Sequence, residues 1–270
     1  MDQKAIAIAA KSLQVARLNV RAGGHQLLSD VSFSLHPGEL GAVIGPSGSG
    51  KSTLLKTILG IRTPGSGQVT GRGVPGDTGY VPQFVALHKV LSVRQSLDFA
   101  LQLRCPTLDE TARAERVAAV CAELRLQDRL DVTVRRLSGG QQKRVAIAME
   151  LLTQPKWLIL DEPASGLDPG LEAELMERLR ALAAQGRVVL TTTHAMSSLP
   201  LCAALFILKD GFLVFAGAPP DALKFFEVQR FEDIFPVLVS KTAQTWSTQY
   251  QASPFRRAAE RRTPSKGDGV

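Results

Sequence analysis

The sequence predicts an α/β fold, a mostly parallel sheet covered by helices on both faces, with an antiparallel β portion and an inserted helical segment. Three observations predict it. Short apolar runs without in–out alternation, LGAVI at 40–44, WLIL at 157–160 and VVLTT at 188–192, read as strands buried on both faces. Helical-period segments alternate with these runs, as they do where crossover helices join parallel strands. A glycine-rich loop follows the first run and directly precedes a helix.

The elements follow in order. Residues 13–18 and 30–35 read as antiparallel strands, the second alternating in VSFSL, with a turn at Ala22-Gly23-Gly24. Pro37-Gly38 ends that region, 40–44 is a buried strand, and a helix is expected over about 51–59. Pro64-Gly65-Ser66-Gly67 turns the chain into a strand at 68–70, and another is expected at 78–82. From 92 to about 131 the pattern turns helical: Ser92-Val93-Arg94-Gln95 is a capping-box pattern before LDFALQLR, and 109–126 carries apolar residues at helical spacing. A helical subdomain is therefore expected as an insertion over about 88–145. A strand at 157–160, an amphipathic helix at 169–184 and a strand at 188–192 come next, then a hairpin over 206–215 turning at Asp210-Gly211. Residues 1–228 read as one domain, and 229–270 as a basic C-terminal extension, partly helical or disordered.

With 270 residues and 44% hydrophobic content, the chain can bury one large core. Three cysteines, Cys105, Cys121 and Cys202, have no metal-like spacing and read as reduced, buried, cytosolic thiols rather than a disulfide or zinc framework. No signal peptide is expected, because Asp2 stands at the front and the apolar run at 5–10 is too short. The stretch 188–208 has no Asp, Glu, Lys or Arg and is long enough to span a bilayer, but Thr191-Thr192-Thr193-His194, Ser197-Ser198 and Pro200 punctuate it into strand, loop and short helix. The net charge is +7, and residues 241–270, with six Lys/Arg and two Asp/Glu, carry +4 of it. Such a tail suits anionic lipid headgroups or an acidic partner, or is a solvated end.

The loop Gly45-Pro46-Ser47-Gly48-Ser49-Gly50-Lys51-Ser52-Thr53 fits G-x-x-x-x-G-K-[ST] in full, between an expected strand and helix. Its glycines let backbone N–H groups curl around an anion, and the helix N-terminus adds partial positive charge. Lys51 is expected to reach the β- and γ-phosphates of a nucleotide, and the Ser52 hydroxyl to ligate Mg²⁺. A chance glycine-rich turn is the weaker reading, since motif and context agree. In LILDEP, an apolar strand delivers Asp161 and Glu162 at its end. Asp161 is expected to hold the metal, and Glu162, pointing to the other face, to polarise an attacking water. The bland alternative is a solvated acidic turn.

LSGGQQKR at 137–144 is less ordinary. Ser138 and Gln141 form a capping-box pattern, but that does not explain Gly139 and Gly140, each costing about 1 kcal/mol relative to Ala inside a helix. At the first helical positions the N–H groups are unpaired, and bare glycines let an anion approach them. This second anion site, in a chain that already has a phosphate loop, is expected to serve a nucleotide bound on another subunit.

Together these motifs resemble ABC-type ATPases, over roughly 13–226. The resemblance implies a P-loop NTPase (RecA-like) core with a mostly parallel sheet, an antiparallel β subdomain and an inserted α-helical subdomain. It implies ATP and Mg²⁺ as ligands, and a head-to-tail dimer, with a second copy or a close paralogue, in which Ser138, Gly139, Gly140 and Gln141 of one subunit cover the γ-phosphate held by the other. Gln83, in YVPQ, matches the glutamine that contacts metal and water and senses the membrane partner. Ser165-Gly166-Leu167-Asp168 matches the loop after the acidic pair, and His194, in TTTH, the histidine that contacts the γ-phosphate. The segments LSVRQSLDFALQLR and MELLTQPKWLILDEPASGLDP, with the stretch 217–226, look like the G subfamily of ABC transporters and bacterial ATPases that serve type-2 export permeases. A separate transmembrane permease subunit, a peripheral location on the cytoplasmic face of the membrane, export, and no nucleic-acid partner are implied. One departure from the family stands out: no aromatic residue occurs over 19–24 to stack on adenine, so either stacking is lost or Val20 or Arg21 covers the base instead.

The extension is less legible. Residues 231–238 look like a short helix and docking strip. Trp246, Tyr250 and Phe255 lie about a helical turn apart, with Arg256-Arg257 and Arg261-Arg262 nearby. That fits an interfacial amphipathic element, or a disordered tail with aromatics packed on the core. The rival to a transporter subunit is a soluble ABC ATPase without a permease; such proteins carry long coiled-coil insertions or tandem domains. A regulatory module without turnover would need a damaged motif, whereas Lys51, Asp161, Glu162 and His194 are all present.

Overall fold

The computed structural model describes residues 10–71 and 76–261. The strands are β1 (Leu13–Ala22), β2 (His25–Leu35), β3 (Leu40–Ile44), β4 (Ser66–Thr70), β5 (Thr78–Val81), β6 (Trp157–Leu160), β7 (Val188–Thr192), β8 (Ala204–Lys209) and β9 (Phe212–Gly217). The helices are α1 (Lys51–Ile58), α2 (Val93–Arg104), α3 (Glu110–Glu123), α4 (Gly139–Leu151), α5 (Pro169–Ala184), α6 (Pro219–Phe226), α7 (Ile234–Val239), α8 (Ala243–Ala252) and α9 (Pro254–Arg261).

The strands run in the order β4-β1-β2-β9-β8-β3-β7-β6-β5. The five from β8 to β5 pair in parallel, and β3, β6 and β7 are buried at every residue, as their unbroken apolar runs require. β9 turns back antiparallel on β8, and β1, β2 and β4 form an antiparallel portion joined to the rest through Ser29 and Phe212. β1 holds one wet face by means of a register shift. Leu13 and Val15 are buried, the ladder slips between Val15 and Leu18 where Arg17 has φ +48°, and thereafter Leu18 and Val20 face inward.

The segment between β5 and β6 is helical. Ser92 caps α2 with a reciprocal Gln95 bond, and the Asp109 side chain caps α3. The described part of the extension, up to residue 261, is helical rather than disordered, and its aromatic residues pack on the core. Trp246 and Tyr250 turn inward, packing on Phe215, Phe225 and Phe226, while the Tyr250 hydroxyl donates to the Ala216 carbonyl at 2.8 Å and Trp246 Nε1 to that of Leu238 at 3.2 Å. These rings are part of the core rather than a stripe free to enter a lipid interface.

The uncharged stretch 188–208 forms β7, a 3₁₀ segment and most of β8, and no helix among the described residues is long and apolar enough to cross a membrane. The three cysteines are free; burial pushes the Cys121 thiol up to about 11 and that of Cys202 up to about 12, so neither is poised as a nucleophile. The apolar run before Ala10 and the basic residues from Arg262 onward lie outside the described residues.

Candidate functional site

Four neighbouring parallel strands end at one edge of the sheet, and each delivers a site residue there. β3 leads into the glycine-rich loop, β7 to His194, β6 to Asp161 and Glu162, and β5 to Gln83. Ligands of open α/β sheets bind outside this edge. A groove of about 490 Å³ runs along it, lined by Ser47 to Thr53, Glu162 and His194, with Gln26 and Leu27 of β2 and Asp210-Gly211 of the β8–β9 turn.

The loop keeps the shape its motif predicts. Gly45 has φ +155°, and a Cβ there would lie 2.2 Å from the Leu208 carbonyl oxygen; Gly50 caps α1 at φ +103°, a left-handed conformation that favours glycine. The Gly211 N–H bonds the Ser49 carbonyl, tying the loop to the β8–β9 turn. Lys51 is nearly buried and donates to the carbonyls of Gly45 at 2.8 Å and Pro46 at 3.1 Å. Burial lowers its pKa, partly countered by Glu162 and Asp161. Ser52 is exposed in the first turn of α1. A left-handed glycine at the helix start, a lysine seated in the loop and a free-standing serine hydroxyl fit a nucleotide phosphate with Mg²⁺.

The acidic pair is held by a residue that the motifs did not single out. Thr192 is fully buried at the end of β7. Its hydroxyl donates to Asp161 Oδ1 at 2.7 Å and accepts the Glu162 N–H at 2.8 Å. Glu162 itself has φ +47°, a left-handed conformation costing a non-glycine residue about 1–2 kcal/mol. Both oxygens of the Glu162 carboxylate are engaged. Gln83 Nε2 donates to Oε2 at 2.9 Å, and His194 Nε2 lies 2.9 Å from Oε1, so Nε2 carries the hydrogen of that bond. Lys143, in the second turn of α4, donates to the Gln83 carbonyl at 2.7 Å; burial lowers its pKa, countered by Glu162.

Ser138 caps α4 through the expected box, with Gln141 N–H to Ser138 Oγ at 3.3 Å and Ser138 N–H to Gln141 Oε1 at 3.0 Å. Ser138, Gly139, Gly140 and Gln141 do not line the groove. Gly140 lies beside Leu167 and Leu171, and a Cβ at Gly139 would meet nothing within 4 Å. Asp168 caps α5, accepting the Leu171 N–H at 3.0 Å, and is likewise outside the groove. The structure thus brings the loop, Asp161, Glu162, Gln83 and His194 into one cluster and leaves the Ser-Gly-Gly turn apart from it. The sequence did not anticipate Thr192, Lys143 or the β2 and β8–β9 lining. Of the two residues considered for covering a base, Val20 is fully buried and unavailable, while Arg21 is exposed and donates to Gln26 Oε1 at 2.6 Å, beside the groove.

A phosphate loop after a central strand, with an acidic pair at the end of the parallel strand next but one to it, defines a P-loop nucleotide-binding protein. A family model described as "ABC transporter" matches residues 28–165. The chain is 42% identical to an ABC transporter ATP-binding/permease protein of Mycobacterium tuberculosis over 79% of its length and 26% of the relative's. It is 36% identical to the Nod factor export ATP-binding protein I of Rhizobium meliloti, over 77% of this chain and 64% of that one. It is 38% identical to ABC transporter G family member 25 of Arabidopsis thaliana, over 78% and 34% respectively. Among solved structures, cbiO1 of Clostridium perfringens, part of the ABC transporter complex cbiONQ, superposes with a TM-score of 0.72 at 27% identity, covering 88% of this chain and 98% of that one. The chain belongs to the ATP-binding proteins of ABC transporters, and its relatives include both export ATP-binding proteins and a G family member. It spans about a quarter of the mycobacterial relative and just under two thirds of the rhizobial one.

Proposed function

We propose that this chain binds and hydrolyses ATP as the energy-supplying subunit of a membrane exporter, working as a head-to-tail dimer at the cytoplasmic face of the membrane. The observation that carries this reading is the Glu162 carboxylate, held between His194 and Gln83 beside the phosphate loop. A carboxylate fixed by two donors is held in one orientation, as a water-activating base needs.

In this reading the loop N–H groups and Lys51 hold the phosphates. Ser52 and Asp161, with Gln83 nearby, would hold Mg²⁺, which would supply positive charge against the phosphate oxygens. Glu162 orients a water and takes its proton as the water oxygen bonds to the γ-phosphorus and the bond to the ADP oxygen breaks. His194 keeps Glu162 in place and faces the γ-phosphate. Positioning and electrostatics supply most of the acceleration. The exposed Ser138-Gly139 turn, with Gly140 behind it, has no role in its own groove and supports a role on the nucleotide of a second copy. A permease partner is supported by apolar side chains exposed over 84–103: Phe84 after Gln83, Val90, and Phe99 and Leu103 one turn apart on α2. Export is supported by the rhizobial relative, an export ATP-binding protein.

The test is an affinity pull-down of the Glu162→Gln protein from detergent-solubilised native membranes, with and without ATP and Mg²⁺, read by mass spectrometry. Retention of a polytopic membrane protein is expected. Recovery of soluble proteins only would overturn the transporter assignment.

A further inference from the structure

We infer that Thr192 is a positioning residue for both acids of the site: its hydroxyl fixes Asp161 for metal and holds the Glu162 backbone in the conformation that aims its carboxylate. The inference rests on the ATP-hydrolysing reading above. The geometry is a directed relay. The Glu162 N–H donates to Thr192 Oγ1, and that hydroxyl spends its single hydrogen on Asp161 Oδ1. Thr192 and Asp161 are both buried, so water does not substitute readily for either bond.

Two consequences follow for the side chains. With Oδ1 bonded to Thr192, the rotation of the Asp161 carboxylate is set, and Oδ2 is the oxygen left to face a metal. Glu162 is a non-glycine residue at φ +47°, and its N–H bond to Thr192 lies at the root of that conformation, while Gln83 and His194 hold only the carboxylate at its tip. Thr192 comes from β7, the strand between β3 and β6, so one hydroxyl ties the acid-bearing strand to the strand that also delivers His194. The adjacent threonines have other partners. The Thr191 hydroxyl donates to the Thr192 carbonyl, and the Thr193 hydroxyl accepts the Ala195 N–H.

The test compares Thr192→Val, which keeps the branched shape and removes the hydroxyl, with Thr192→Ser, which keeps the hydroxyl. Turnover, KM for ATP, nucleotide affinity in EDTA and in Mg²⁺, and the thermal midpoint are measured for each. For Thr192→Val, kcat is expected to fall about 10- to 100-fold, the range that loss of hydrogen bonds to charged groups implies. Nucleotide affinity in EDTA should stay within about twofold, and the gain in affinity on adding Mg²⁺ should shrink severalfold. Thr192→Ser should restore turnover and the Mg²⁺ effect. Native turnover and Mg²⁺ dependence in Thr192→Val, or Thr192→Ser as impaired as Thr192→Val, would overturn the inference. If Thr192→Val does not fold, Thr192→Ala replaces it in the same comparison. A native chain without ATP turnover would instead overturn the hydrolytic reading, and the Mg²⁺-dependent gain in nucleotide affinity would still decide the role of Thr192.

Discussion

Gln83 and Glu162, 79 residues apart in sequence, meet side chain to side chain, Gln83 Nε2 donating to Glu162 Oε2 at 2.9 Å. The backbone carbonyl of the same glutamine accepts Lys143 Nζ at 2.7 Å. Lys143 lies on α4, the helix that begins with Gly139-Gly140. A shift of α4 therefore reaches the Glu162 carboxylate through two hydrogen bonds and one residue.

Removing the lysine head should loosen that link without touching the phosphate loop. Lys143→Met is expected to lower kcat about tenfold, as loss of a charged hydrogen bond implies, and to leave KM for ATP unchanged. Steady-state kinetics checks this; a raised KM with native kcat would place Lys143 in nucleotide binding instead.

The space around Gly139 separates folding from function. Ala fits there with nothing within 4 Å and is the better helix former by about 1 kcal/mol. Gly139→Ala should thus unfold no earlier than the native chain, yet lose ATP-dependent dimerisation and turnover, because the methyl group keeps an anion from the helix-end N–H groups. Thermal unfolding and an ATPase assay together test it. Unimpaired turnover would reduce the paired glycines to a feature of the fold.

Glu174 on α5 receives Arg178 at 2.7 Å, and Arg125 and Arg144 at 3.7 Å, linking α5 to α4 and to the turn after α3. The Arg178 hydrogen bond, ahead of the surrounding guanidinium charges, holds the Glu174 carboxyl below its ordinary value of 4.5. A depressed carboxylate contributes stability that is fully present above the unfolded-state value and is lost as pH falls through the folded-state one. The thermal midpoint of Glu174→Gln should therefore lie below the native one at neutral pH, and the gap should close below about pH 4.5. A gap independent of pH would point to packing rather than charge.

The extension is anchored by rings rather than by charge. Trp246 is buried against Phe225 and Phe226, so Trp246→Ala should cost about 3–5 kcal/mol, the range for deleting a large aromatic from a core. Denaturant titration measures it; a cost below about 1 kcal/mol would mean that α8 is loosely held.

Much of the parallel core was legible because strands buried on both faces write themselves as unbroken apolar runs, as at Leu40–Ile44 and Val188–Thr192. The loop and the acidic pair were legible because their chemistry fixes residue type and spacing. β1 was less so: the slip at Arg17 moves the buried positions from odd to even, which hides the alternation beyond residue 18. Thr192 and Lys143 were missed for a different reason. A threonine in a strand and a lysine on a helix are ordinary in sequence, and only the pairing of β6 with β7 and the approach of α4 to Gln83 give them partners. The inward turn of Trp246 and Tyr250 likewise depends on where β9 and α6 lie.

In the proposed cycle, Glu162 drives hydrolysis of an ATP enclosed between two copies of this chain. The decisive experiment is the solution mass and the ATPase rate of the Glu162→Gln protein, with and without Mg²⁺ and ATP. Bound ATP is expected, with a mass that doubles only when nucleotide is present and turnover reduced at least about a hundredfold, as for loss of a general base. Native turnover in this variant, or saturating ATP on a chain that remains monomeric, would overturn that cycle.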